Sequence, residues 1–126
     1  MRVRVGDLLG IREPDGAWSI AAVRWARSAS PSSIEIGTQR LAPGGEAVVI
    51  KTLSEKGEES DFLPALLLPE IKALKQPPTL VTACGIYRPD RTLYMDNGFR
   101  LYKIEADKAL ETTGAFERFS IRILNP

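Results

Sequence analysis

The sequence predicts an all-β fold, an antiparallel barrel or sandwich. Three observations carry this prediction. Apolar and polar residues alternate with period 2 in about nine or ten short stretches, turn residues separate these stretches, and no segment sustains a helical pattern beyond two turns. Many short strands at regular spacing are typical of closed or double-layered antiparallel sheets.

The order of the elements follows from the turns. Pro14-Asp15-Gly16 and Pro43-Gly44-Gly45 are strong turn sequences, and Gly37 within a strand indicates a bulge or a close backbone approach. Asn97-Gly98 between alternating strands predicts a hairpin with a type I′ turn. The predicted strands cover residues 7–13, 18–27, 33–41, 46–53, 61–68, 79–83, 92–95, 99–104 and 116–124.

Two segments are less regular. Flanking prolines limit residues 69–78 to one helical turn. Residues 105–113 leave helix and strand both open, because Ala106, Ala109 and Leu110 have helical spacing whereas Thr112 and Thr113 favour a strand. Pro64 makes residues 61–68 a predicted edge or bulged strand.

The length of 126 residues predicts one domain over residues 1–126, since two halves of about 60 residues would each be near the lower limit for independent folding. The polar segment 54–60 is the only plausible boundary, and we interpret it as a long hairpin loop. Residues 1–53 then form the first group of strands, and residues 61–126 form an additional β-meander that extends it.

Composition excludes several classes of function. The chain has no histidine, so His-dependent catalysis and His-ligated zinc are excluded, and its one cysteine excludes an internal disulfide. A net charge of +1 argues against a nucleic-acid polymer as partner, and no apolar run is long enough to span a membrane. We therefore expect a cytoplasmic protein, with Cys84 as a buried structural thiol.

Catalytic and cofactor signals are weak. The carboxylate pairs Glu58 with Glu59 and Glu105 with Asp107 are expected to be solvated surface groups rather than an acid–base pair. Pro43-Gly44-Gly45 opens a strand, whereas a phosphate-binding glycine loop opens a helix. We expect no enzymatic activity, no metal and no cofactor.

Arginines are the side chains most suited to a binding role. Pairs of arginines beside an aromatic ring can bind phosphates and stack on bases, although alternating strands also place charged residues on their solvent faces. Trp25 alternates with Val23 and is expected in the core, and Trp18 is expected to cap one end of the barrel. The arginine pairs are Arg2 with Arg4, Arg24 with Arg27 on either side of Trp25, and Arg118 with Arg122.

From Val5 to Leu41 the chain resembles the later strands of PilZ domains, the bacterial receptors for cyclic di-GMP. The resemblance covers about a third of the chain and depends on elements in the family's order and spacing. These are Val5-Gly6-Asp7, Ala22-Val23-Arg24-Trp25 and Ile36-Gly37-Thr38-Gln39-Arg40-Leu41.

The nucleotide-binding motifs of the family do not occur where the family has them. PilZ domains bind through R-x-x-x-R in an N-terminal arm and [DN]-x-S-x-x-G on an early strand, both before the Val-Gly-Asp segment. Residues 118–122 match the first pattern and residues 52–57 approach the second, but both lie late in the chain. The chain is then either the C-terminal part of a longer protein or a PilZ-like barrel without the nucleotide site.

The resemblance implies a PilZ-like antiparallel β-barrel with an additional β-meander. It also implies a non-enzymatic module of cyclic di-GMP signalling, with nucleotide binding weak or absent in this chain. Arg2, Arg4 and Arg24 are the residues expected to border a ligand that binds in the intact protein. Two alternatives stay open: an assembly module whose edge strand 61–68 pairs with a protein partner or another copy, and a flavin-binding split barrel.

Overall fold

The computed structural model describes residues 3–54 and 56–124. Within these residues the chain forms nine strands and one short 3₁₀ turn, Lys72–Leu74. The first group of strands is β1 (Leu8–Arg12), β2 (Trp18–Ser30) and β3 (Ser33–Ala42). The second is β4 (Glu46–Thr52), β5 (Leu63–Leu68), β6 (Thr79–Thr82), β7 (Thr92–Asp96), β8 (Leu101–Thr112) and β9 (Glu117–Ile123).

Strands β1, β2 and β3 form an open antiparallel sheet with β2 in the centre. The register between β2 and β3 shifts between Val23 and Trp25, so that Trp25 lies opposite Gly37. The indole of Trp25 lies across this position so closely that a Cβ atom on Gly37 would fall 1.9 Å from Nε1. The bulge predicted at Gly37 is confirmed by this register shift, and the group that approaches the glycine closely is an indole ring.

Strands β4 to β9 form a closed antiparallel barrel in the order β4-β5-β6-β9-β8-β7, which the β4–β7 pairing closes. The inward-facing side chains are apolar and alternate along each strand, as period 2 requires. The centre of the barrel is fully buried and contains Ile50, Leu80, Leu93, Met95, Ile104 and Phe119.

A second apolar cluster, the shared core, joins the sheet to the outer wall of the barrel. Its members come from both groups of strands: Ile20, Ala22, Leu41, Ala42, Leu68, Val81 and Phe116. The sheet therefore packs on the barrel, and residues 19–23 of β2 are all buried. The far end of the β2–β3 hairpin is exposed.

The all-β class and the antiparallel barrel are confirmed, and the ambiguous segment 105–113 is largely strand. The distribution of strands differs from the expected one, because the closed barrel comprises Glu46–Ile123 and includes β4, whereas Leu8–Ala42 form the open sheet. The pairing of β4 with β5 and β7 accounts for this difference.

The predicted edge strand at 61–68 is wrong, because β5 lies inside the barrel between β4 and β6. Pro64 is tolerated there because β6 pairs only with Leu66–Leu68, beyond the proline.

The hairpin at Asn97-Gly98 is confirmed, but its predicted type I′ turn is wrong. Gly98 has a positive φ of 91°, whereas Asn97 is not among the residues with positive φ. Asp96 pairs with Leu101, which leaves a four-residue loop in which Asn97 Oδ1 accepts hydrogen bonds from the backbone N–H groups of Phe99 and Arg100, both at 2.9 Å.

Candidate functional site: arginines between the sheet and the barrel

Arg24 lies on β2 and connects the sheet to the barrel. Its Nε donates a hydrogen bond to Gln39 Oε1 of β3 at 2.8 Å, and its Nη1 forms an ion pair with Glu111 of β8. The hydrogen bond to Glu111 raises the pKa of Arg24 above its usual value, against a smaller opposing effect of burial. Arg24 is therefore a structural link as well as a predicted binding residue.

Arg4 lies in the segment that leads into β1, and this segment runs along β2. The backbone N–H of Gly6 donates to Val23 O at 2.8 Å, and the N–H of Val23 donates to Asp7 O at 2.9 Å. Gly6 and Asp7 are thus held beside Val23, the residue before Arg24, and a turn joins Arg4 to this point. Arg2 lies outside the described residues.

Asp7 fixes the turn at Arg4. Its Oδ2 accepts a hydrogen bond from the backbone N–H of Arg4 at 2.8 Å, and its own N–H donates to Arg4 O at 3.0 Å. Arg4 itself is exposed. The Val5-Gly6-Asp7 sequence therefore has a structural role, which is to hold the entry segment against β2.

Arg118 belongs to one of the arginine pairs in the sequence but is not among the residues expected to border the ligand. It lies on β9 with only 8% of its surface exposed, and its Nε donates to Thr79 Oγ1 of β6 at 3.1 Å. It pairs in register with Glu111, the partner of Arg24. We call these side chains the junction cluster: Arg24, Gln39, Thr79, Glu111 and Arg118.

Arg122 does not join this cluster, although it lies four residues from Arg118. Its guanidinium forms ion pairs with Asp90 at 3.0 Å, with Asp107 at 2.6 Å and with Glu105. Hydrogen bonds to Glu105 and Asp90 raise the pKa of Arg122. Glu105 and Asp107 therefore share a face, as predicted, and bind one arginine there.

Trp25, expected in the core, Trp18, expected to cap the barrel, and Cys84, expected to be a buried thiol, are all exposed. Trp25 is 48% exposed and Trp18 is 57% exposed, so neither fills the core. Trp18 packs on Gly10 of β1, not on an end of the barrel. The Arg27 guanidinium lies 5.8 Å from the centre of the Trp25 ring. Cys84 is also exposed, and its Sγ donates to Thr113 O at 3.3 Å.

A large pocket lies away from these arginines. It has a volume of about 830 Å³ and mostly apolar walls, and it lies where β4 and β5 approach β6 and the β7–β8 turn. Phe116 of the shared core and Leu8 of the sheet complete its walls. Within residues 3–54 and 56–124 there is no group of three or more Cys, Asp or Glu side chains arranged to hold a metal ion, and no helix long and apolar enough to cross a membrane.

The fold and the junction cluster define a two-part all-β module, in which an open sheet packs on a closed barrel. Residues 1–46 match the family model described as "Cyclic-di-GMP receptor FimW, middle PilZ domain". Residues 48–124 match the model described as "FimW C-terminal beta-barrel domain". The chain belongs to the FimW family, and the predicted resemblance to PilZ domains is confirmed.

A curated relative agrees with this assignment. The chain is 28% identical over 126 residues to the Cyclic-di-GMP receptor FimW of Pseudomonas aeruginosa. The alignment covers 99% of this chain and 21% of that protein. The chain therefore spans a small part of the relative's length. No solved structure matches the chain.

Proposed function

We propose that this chain is a non-enzymatic, cytoplasmic module of cyclic di-GMP signalling, in which Arg2, Arg4 and Arg24 border the nucleotide. The observation that carries the proposal is the match of the sheet to the PilZ segment of a receptor family, with Arg24 at the junction between this sheet and the barrel. The shared core supports the further proposal that residues 1–126 fold as one unit.

The ion pair of Arg24 supplies a mechanism. Arginine binds phosphate through paired N–H donors, and Glu111 already occupies one such donor in the described structure. A nucleotide phosphate would have to displace Glu111, so we expect weak binding to this chain. Displacement would also break the ion pair between Arg24 of the sheet and Glu111 of the barrel. Nucleotide binding would thereby weaken the attachment of the sheet to the barrel.

The test is a titration of cyclic di-GMP into the chain, followed by the backbone amide resonances, with cyclic GMP as the control nucleotide. We expect saturable shifts near Arg4 and Arg24, which weaken in Arg4→Ala and Arg24→Ala. Arg27→Ala is the matched control, because Arg27 lies on the same strand but pairs with Glu35 at 2.6 Å.

The Glu111→Gln variant makes the test sharper. Removing the competing carboxylate frees Arg24, so the affinity for cyclic di-GMP should rise several-fold. The proposal for these arginines is wrong if cyclic di-GMP shifts no resonance near them, or if Arg27→Ala weakens binding as much as Arg24→Ala does.

An assembly function is the second candidate, and the free edges of the open sheet favour it. Within the described residues, β1 and β3 each pair on one side only, whereas every strand of the barrel pairs on both. A partner strand or a second copy would therefore add to β1 or β3, not to residues 61–68. Self-association that is lost when a proline replaces a β3 residue, for example Glu35→Pro, would support this function.

A further inference from the structure

One arginine of the junction cluster has no counter-charge of its own. Arg24 forms an ion pair with Glu111, and Arg40 of β3 forms one with Glu13. Among the described residues, Arg118 forms no ion pair, and its side chain makes a single hydrogen bond, from Nε to Thr79. Burying an unpaired charge is costly, so a buried guanidinium normally has an anionic partner.

The terminal nitrogens of Arg118 are available to such a partner. Among the described residues, every side-chain nitrogen or oxygen that is shielded from solvent has a hydrogen-bond partner. The Nη atoms of Arg118 have no such partner, so they are not fully shielded. Burial lowers the pKa of Arg118, and the nearby charge of Glu111 has the opposite, smaller effect. Glu111 is therefore close to Arg118 but is hydrogen-bonded to Arg24.

The open space beside Arg118 is a pocket of about 300 Å³ between β3 and the segment around the 3₁₀ turn. Arg40, Gln39 and Gln76 provide further polar groups in its wall, and the other walls are apolar: Leu41, Ala42, Pro43, Ile71 and Leu74. We call it the Arg118 pocket. Arginine and glutamine residues in the wall of an otherwise apolar pocket suit an organic molecule with an anionic group.

We propose that the Arg118 pocket binds the phosphoryl group of a small phosphorylated molecule. Arg118 is its principal ligand, and Arg40 contributes the N–H donors that its ion pair with Glu13 leaves free. Guanidinium groups match the oxygens of a phosphoryl group through paired N–H donors, and the apolar wall would cover the organic part of the molecule. The bound anion would supply the missing counter-charge of Arg118. This proposal does not depend on nucleotide binding at Arg4 and Arg24.

The experiment uses inorganic phosphate as the probe, with acetate and with sodium chloride at matched ionic strength as controls. Phosphate should raise the Tm of the wild-type chain and shift resonances around the pocket, because a ligand that binds only the folded state stabilises it. Arg40→Ala should raise the Kd for phosphate about tenfold, the usual effect of losing a charged hydrogen bond. Arg27→Ala is the matched control and should leave the Kd unchanged.

The Arg118→Met variant distinguishes a ligand-binding role of Arg118 from a purely structural role. Without phosphate, this variant should be at least as stable as the wild type, because it removes a buried charge without a counter-ion. With phosphate, its Tm should not rise.

Three results would overturn the proposal. Phosphate could leave the wild type unchanged, acetate could bind as tightly as phosphate, or Arg40→Ala could respond to phosphate as the wild type does. The measurements on Arg40→Ala and the wild type test phosphate binding in the Arg118 pocket even if Arg118→Met does not fold.

Discussion

Phe116→Ala should destabilise the sheet and the barrel together. Phe116 is 3% exposed and belongs to the shared core, where sheet and barrel residues meet. A phenylalanine that buries about 200 Å² contributes about 5 kcal/mol at about 25 cal/mol per Å², and Phe→Ala substitutions in cores cost about 3–5 kcal/mol. We expect a loss of about 3–4 kcal/mol in the free energy of unfolding.

The chain contains separate spectroscopic probes for its two parts. Both tryptophans, Trp18 and Trp25, lie on β2 in the sheet, and all three tyrosines, Tyr87, Tyr94 and Tyr102, lie in the barrel half. Urea unfolding should therefore be followed by tryptophan fluorescence and by tyrosine absorbance. If residues 1–126 fold as one unit, both transitions coincide and Phe116→Ala moves both to lower urea.

The control is Phe99→Ala at the tip of the β7–β8 hairpin, where the side chain is 95% exposed. It should change the free energy of unfolding by less than about 0.5 kcal/mol. Separate tryptophan and tyrosine transitions in the wild type, or a Phe116→Ala variant that loses less than about 1 kcal/mol, would refute the reasoning about the shared core.

Three other predictions follow from particular contacts. Gly37→Ala should cost about 1–3 kcal/mol and shift the fluorescence of Trp25, because a Cβ atom would fall 1.9 Å from its Nε1; the cost should disappear in a Trp25→Ala background. A double-mutant cycle on Arg24 and Glu111 should give a coupling energy below about 1 kcal/mol that falls with added salt, because the Arg24 side chain is 36% exposed; a larger, salt-independent value would contradict this. Cys84 should react with a thiol reagent in the native state, and protection until unfolding would contradict its exposure.

Much of the strand pattern could be predicted because it is local. Alternation along the chain and turn residues between the strands placed eight of the nine strands within a few residues of their observed bounds. Pairings between distant strands could not be predicted this way. Nothing in the sequence around Pro64 indicates that β5 has a neighbouring strand on each side, because the barrel closes through β4 and β7. A proline in a strand therefore predicts an edge strand there.

The position of Trp25 differs from the one that alternation predicts because of one register shift in β2. Alternation places Val23 and Trp25 on one face, but the register shift between them separates a buried valine from a half-exposed indole. Gly37 carried the signal for this, because a strand glycine indicates a close approach. It did not indicate which side chain would lie against it.

The candidate site was predictable only in part, because its contacts join distant parts of the chain. Arg24 is predictable from its neighbour Trp25, but its partner Glu111 is 87 residues away in sequence. The motif that contains Arg118 lies at the wrong end of the chain for a PilZ nucleotide site, so it does not predict a binding role for Arg118. Its role follows from burial and from the absence of an ion pair within the described residues, and neither can be inferred from one sequence.

The two family segments meet at the beginning of β4, at residues 46 and 48, and this boundary would be the obvious place to divide the chain for separate expression. The division would strip the sheet from the outer wall of the barrel and leave Leu68, Val81 and Phe116 facing water. A contiguous apolar patch of this kind promotes aggregation. The boundary that sequence comparison draws is therefore a poor place to cut, and the barrel should be handled with its sheet attached.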